Sequence, residues 1–275
     1  MMSDWKPADG SIVRIEPLDS PEPGFHVREI TYMSGGLRVK GCLVQPSNAP
    51  AEGWPPMMYL RGGIRSKGMV RVQRIITLAR RGAAVFAPYY RGNRGGEGAE
   101  DFAGEDRYDA YHALAVFRQL DEIRPEPVPL LGFSRGAVMA LLTARDCDGV
   151  GPVAVWGGVS DMWLTYEERV DLRRMLRRVV GHPRKDMADY LSRSPVCWAQ
   201  DIRSPVMIVH GTKDEQVGVE HAYRLQKALT AAGKPPFMHI VEGMGHVFAP
   251  EEDGRALDLM FAWFRSGAML TGDRR

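Results

Sequence analysis

Cysteine is scarce in this chain: Cys42, Cys147 and Cys197 are the only ones in 275 residues. Their number is odd, their spacing is wide, and no Cys-x-x-Cys pair occurs. This argues against a disulfide-stapled scaffold and a thiolate zinc site, and makes a reducing cytoplasm the expected compartment. Also missing is any run of ~20 apolar residues, the length a membrane-spanning helix needs. The opening residues, Met1-Met2-Ser3-Asp4-Trp5-Lys6, lack the apolar core of a secretory signal. Charge of one sign is lacking too. Lys and Arg number 36 against 34 Asp and Glu, a formal net charge of +2, so no global field favours nucleic acid. Neither nucleic acid nor a membrane is expected as a partner. Internal repeats and low-complexity tracts are absent as well.

What is present suits a sheet-forming globular chain, with 44% hydrophobic and 25% charged residues. A compact fold of this length buries roughly three quarters of its unfolded surface, enough for a full core. Residues 1–23 are polar and proline-rich and read as an N-terminal surface arm. Residues 24–275 read as one domain. Val27, Ile30 and Tyr32 run into Ser34-Gly35-Gly36, and Leu37, Val39 and Leu43 alternate beyond, which predicts an antiparallel hairpin at a sheet edge. Short apolar runs then begin at Met57, Ala83, Val128, Val153, Val206 and Phe237, with helix-period segments between them. The alternation predicts an α/β fold with a mostly parallel sheet of eight strands and helices on both faces. In such sheets, sites form at the carboxyl ends of the strands.

The rhythm breaks between residues 161 and 200. There Leu172, Met175, Leu176 and Val179 mark an amphipathic helix rich in arginine, stopped by Gly181-His182-Pro183. This helical insertion reads either as a partial lid over the strand ends or as a helix packed on the surface.

One stretch carries a chemical signature. The Val128 run leads into Gly132-Phe133-Ser134-Arg135-Gly136, and a helix-forming run follows at once. Strand, Gly-x-Ser-x-Gly turn and helix together describe a serine whose hydroxyl is pushed out of the sheet on a sharp turn. A serine hydroxyl attacks only if a base takes its proton, and the base needs an acid to orient it. In this topology acid and base follow the serine, each just past a later strand. Asp214 lies after the Val206 run and His246 after the Phe237 run. Glu215 and Asp161 are the rival acids, and Asp161 also reads as a helix N-cap. His210 and His239 lie within strand runs and read as core or rim histidines, while His26 and His112 precede the serine.

Acyl transfer also needs donors aimed at the oxyanion. The N–H of Arg135 is one candidate. The other comes from the loop after the Met57 run, where Gly62-Gly63 lets the backbone come close; Gly63 is favoured, with Gly62 and Ile64 as neighbours. Arg61, Arg65, Lys67, Arg71 and Arg74 crowd the same loop and helix, as a preference for anionic substrates or as a solvated face. The Tyr90-to-Gly98 loop, with Asp106 and Asp109, suggests a buried Arg91–carboxylate network; it lacks the Lys-Ser/Thr pair of a phosphate loop.

From about residue 25 to 265 the chain resembles the catalytic domain of the prolyl oligopeptidase family, within the α/β-hydrolase fold. The resemblance rests on the serine turn, on Tyr90-Arg91-Gly92 with the following Gly104-Glu105-Asp106, and on Arg193-Ser194-Pro195-Val196 ahead of His210-Gly211-Thr212-Lys213-Asp214. It implies Ser134, Asp214 and His246 as the catalytic triad and the Arg135 and Gly63 amides as oxyanion donors. Arg61 stands where many relatives have histidine, and Arg135 where many have tyrosine. There is no room for the N-terminal propeller of the larger members. The expected activity is a cofactor-free, metal-free serine hydrolase, cleaving an ester or short-peptide bond through a Ser134 acyl-enzyme. Carboxylesterase, lactonase and acyltransferase chemistry, or a non-catalytic binding scaffold, are the alternatives. The expected partner is a small ester or short peptide.

Overall fold

Apolar runs with no polar alternation have to be covered on both faces, and they are. In the computed structural model, which describes residues 8–267, β4 (Pro56–Leu60), β5 (Ala84–Pro88) and β8 (Val206–Gly211) are buried at every position. They belong to one sheet with β1 (Ile12–Leu18), β2 (Phe25–Ser34), β3 (Leu37–Pro46), β6 (Val128–Phe133), β7 (Val150–Trp156) and β9 (Phe237–Val241), in the order β1-β2-β3-β5-β4-β6-β7-β8-β9. Pairings from β1 through β3 to β5 are antiparallel, and all those from β5 through β4 to β9 are parallel.

The strand period of two sorts the core into two layers. Met58 and Leu60 of β4 join the layer under α2 (Arg107–Phe117), α3 (Gly136–Asp146) and α7 (Glu220–Ala231). Met57 and Tyr59 join the opposite layer, under α1 (Val72–Ala79) and α8 (Pro250–Arg265).

Two expectations need correction. Among the described residues the sheet has nine strands rather than eight, because residues 12–18 of the expected arm pair antiparallel with β2. The hairpin of β2 and β3 therefore lies one strand in from the edge. No residue of β1 is fully buried, so it leaves little apolar signal. Pro17 and the Arg14–Glu16 ion pair lie on it, devices that discourage further pairing at an edge. The insertion holds more than the expected amphipathic helix, which is α5 (Arg173–Val179): two further short α-helices, α4 (Met162–Glu168) and α6 (Met187–Ser192), lie beside it with 3-10 turns. They share the layer with α7 through Met162, Leu176 and Tyr190, and Tyr166 meets Tyr190 edge-on at 6.1 Å. Asp161 caps α4, accepting from the Trp163 and Leu164 N–H groups at 2.9 and 3.1 Å.

Candidate active site

Ser134 stands between the end of β6 and the start of α3 with φ +56°. A non-glycine residue in the left-handed region costs of order 1–3 kcal/mol, and such strain persists only where the surroundings enforce it. Here they do. The Ser134 N–H donates to the Trp156 carbonyl at 3.0 Å, and its own carbonyl accepts from Ala137 and Val159 at 3.0 and 3.2 Å. The glycines of the motif are required by close approach. A Cβ at Gly136 would collide with the Leu60 carbonyl oxygen, and one at Gly62 would sit 2.6 Å from Ser134 Cβ.

Asp214 lies in the loop after β8 and His246 in the loop after β9, and the fold brings them into direct contact. His246 Nδ1 and Asp214 Oδ2 are 2.7 Å apart. Asp214 Oδ1 accepts from the Gln216 and Val217 N–H groups, both at 2.9 Å. Burial alone would raise this carboxyl; the His246 hydrogen bond and charge and the two backbone donors outweigh it and hold it below the ordinary carboxylate range. Behind the pair, His210 Nε2 donates to the Val217 carbonyl at 2.8 Å and stands 3.4 Å from Asp214 Oδ2. Burial holds the His210 ring below its usual pKa.

The imidazole of His246 is positioned by shape as well. The Phe133 ring lies against it at 4.8 Å between centroids. A Cβ at Gly157, whose φ is +50°, would come within 3.1 Å of His246 Nδ1 and 3.2 Å of Asp214 Oδ2 and press on the pair. Ser134 thus follows directly on the residue that packs against the imidazole. Among the described residues, Ser134 Oγ and His246 Nε2 hydrogen-bond neither to each other nor elsewhere.

The rival residues are placed elsewhere. Glu215 is exposed. Asp161 is occupied by the α4 cap and by Arg224 at 2.9 Å. His112 hydrogen-bonds Ser34 at 3.1 Å, and His26 and His239 lie in β2 and β9. The Arg135 and Gly63 N–H groups donate to no protein acceptor among the described residues, and Gly62 touches the serine.

The basic run around Arg61 divides. Arg65, Lys67 and Arg71 are exposed and Arg74 pairs with Asp253, but Arg61 points inward and is 1% exposed. It meets a buried charge cluster that sequence reasoning resolved only in part. Arg91 pairs with Asp109 at 2.9 Å, as the loop suggested. Asp106 instead takes Arg135 at 2.8 Å, and Glu100 takes both Arg135, at 3.0 Å, and Arg61. Both guanidinium groups lie over the Tyr90 ring, Arg61 at 5.1 Å and Arg135 at 4.9 Å from its centroid. Glu100 had no local signal; it follows a glycine-rich stretch and its partners are distant in sequence.

Comparisons with known proteins agree with this architecture. The sequence profile described as the prolyl oligopeptidase family matches residues 69–269. An uncharacterised peptidase of Bacillus subtilis (strain 168), YtmA, is 45% identical over 256 residues, covering 92% of this chain and 99% of that protein. Dipeptidyl peptidase 8 of Mus musculus is 28% identical over 266 residues, which span 88% of this chain but 29% of that protein. Among solved structures, a puromycin-hydrolysing peptidase of Mycobacterium tuberculosis superposes with a TM-score of 0.76 at 22% identity, over 95% of this chain and 39% of that one. That last likeness is one of fold.

Proposed function

Because the chain belongs to the prolyl oligopeptidase family of serine peptidases, we propose that it hydrolyses short peptides or related amides and esters through an acyl-enzyme on Ser134. His246 accepts the Ser134 proton as Oγ attacks the scissile carbonyl, then returns it to the leaving group. Asp214 holds Nδ1 of the imidazole and stabilises its charged form. The Arg135 and Gly63 N–H groups receive the oxyanion of the tetrahedral intermediate. Water, deprotonated in turn by His246, releases the acid product and restores the serine.

The observation that carries this reading is the 2.7 Å Asp214–His246 hydrogen bond beside a strained serine turn. Asp214 and His246 meet although 32 residues separate them in sequence, and Phe133, the residue before Ser134, packs against the imidazole. Amides and esters proceed through the same acyl-enzyme, so substrate panels of aminoacyl and peptidyl amides and of p-nitrophenyl esters rank the two. A fluorophosphonate should label the intact protein once and fail to label Ser134→Ala. Unlabelled wild-type protein that turns over no member of either panel defeats the proposal.

A further inference from the structure

We propose that Glu100 is a positioning residue for this reaction: its buried carboxylate ties the loop that carries Gly63 to the turn that carries Arg135, and so fixes the two oxyanion donors relative to one another. The inference rests on the acyl-transfer reading and adds to it a residue that lies outside the triad and touches no substrate.

The two ties are separate and meet at one group. Glu100 Oε1 accepts from Arg61 Nη2, and Oε2 accepts from the backbone N–H of Arg65. These residues flank Gly62-Gly63. Arg61 also folds the loop onto itself, donating from Nη1 to the Gly62 carbonyl at 2.9 Å and the Lys67 carbonyl at 3.3 Å. Gly63, at φ +66°, lies so close to Lys67 that a Cβ there would collide with its carbonyl. The loop is therefore a closed ring seated on Glu100. The second tie is Arg135, which donates from Nη2 to the same Glu100 Oε1 at 3.0 Å. Arg135 is the residue after the nucleophile, and its own N–H is a donor to the oxyanion.

Chemistry favours a carboxylate at this junction. Arg61, Arg135 and Glu100 each expose about 1% of their side chains. Charges this dry make strong, directional hydrogen bonds when paired and are costly when not. Planar guanidinium groups allow little sliding against their acceptors. An oxyanion donor works only within about 2.7–3.1 Å of the oxygen it serves, so a small relative shift of the two donors is felt in the transition state. Asp106 is an internal contrast: it holds Arg135, at 2.8 Å, but not Arg61. Among the described carboxylates, Glu100 alone hydrogen-bonds both Arg61 and Arg135.

The test uses the full chain with Glu100→Gln and Glu100→Asp, and rates are divided by the number of sites that a fluorophosphonate titrates. With a peptidyl p-nitroanilide, Glu100→Gln should lose about 10²-fold in kcat per titrated site with KM within about twofold. A peptide boronate, which mimics the tetrahedral state, should lose affinity by a similar factor, while a cleaved product binds unchanged. Glu100→Asp, which keeps the charge on a shorter arm, should recover part of the loss. Should Glu100→Gln not fold, Arg61→Lys and Arg135→Lys keep each charge and remove part of each fork; both should show the same kcat-selective loss. A purely structural role predicts fewer titratable sites with wild-type kcat at each, and that result, or a loss carried by KM, overturns the inference. Wild-type protein that neither labels nor turns over removes the acyl-transfer reading itself, which is a different and recognisable outcome.

Discussion

The two halves of the proposed catalytic face are held by opposite means. On the serine side, the turn and the Gly62-Gly63 loop sit on Arg61, Arg135, Glu100 and Asp106, four charged side chains that are almost wholly buried. On the acid–base side, Asp214 is satisfied by backbone N–H groups and His246, and the imidazole is steered by Phe133 and by the space at Gly157. The first arrangement is rigid, and removing one partner strands a charge in a dry interior. In the second, Asp214 keeps its two backbone N–H donors when His246 is lost, so the buried carboxylate is not left without partners. Stability and catalysis should therefore separate: the serine side carries both, the acid–base side chiefly catalysis.

The largest effect falls on the reacting groups themselves. Ser134→Ala and His246→Ala should each lower kcat by about 10⁶-fold, as removing a member of such a unit does elsewhere. Their melting temperatures should stay close to wild type by differential scanning fluorimetry. A large drop in melting temperature for His246→Ala would break the contrast.

Asp214→Asn should lose about 10⁴-fold in kcat by presenting the wrong tautomer of His246. It should also reshape the pH dependence of folding. The folded carboxyl titrates below its unfolded value, so its contribution to stability is present above the unfolded carboxylate pKa. That contribution is lost as pH falls through the lower folded value. Urea unfolding at neutral and at strongly acidic pH should differ less in Asp214→Asn than in wild type. An equal or larger difference would contradict the assigned shift.

On the serine side, Arg135→Met leaves Glu100 and Asp106 facing each other without their shared cation. It should destabilise the fold by about 3–5 kcal/mol in urea titrations. A cost below about 1 kcal/mol would mean that the buried charges do not hold this half. Smaller again is Gly62→Ala, whose methyl group would be placed 2.6 Å from Ser134 Cβ. Displacing the serine on that scale should cost about 10²-fold in kcat, with the Asp214–His246 imidazole proton resonance unchanged by NMR.

How much of this was legible beforehand depended on the range of each signal. Strands from β4 to β9 were read from apolar runs because burial on both faces removes any polar alternation. Ser134 was read from its glycines, each demanded by a close backbone approach. Asp214 and His246 were read from their positions after particular strands, since a parallel sheet delivers those loops to one edge. β1 was missed because an edge strand with no fully buried residue carries little pattern. Arg61 was read with a surface run, though its guanidinium turns inward.

The amino-acid sequence alone therefore determined the alternation of strands and helices, the sharp turn at Ser134 and the placement of Asp214 and His246 just past two strands, because each follows from local periodicity and strand-end placement. Only the tertiary structure decided what supports them. Glu100 lies 35 residues from Arg135 and 39 from Arg61, and such pairing is set by which loops the closed sheet brings together. A buried charge has no periodicity to announce it; its partners exist only once the chain has folded around them.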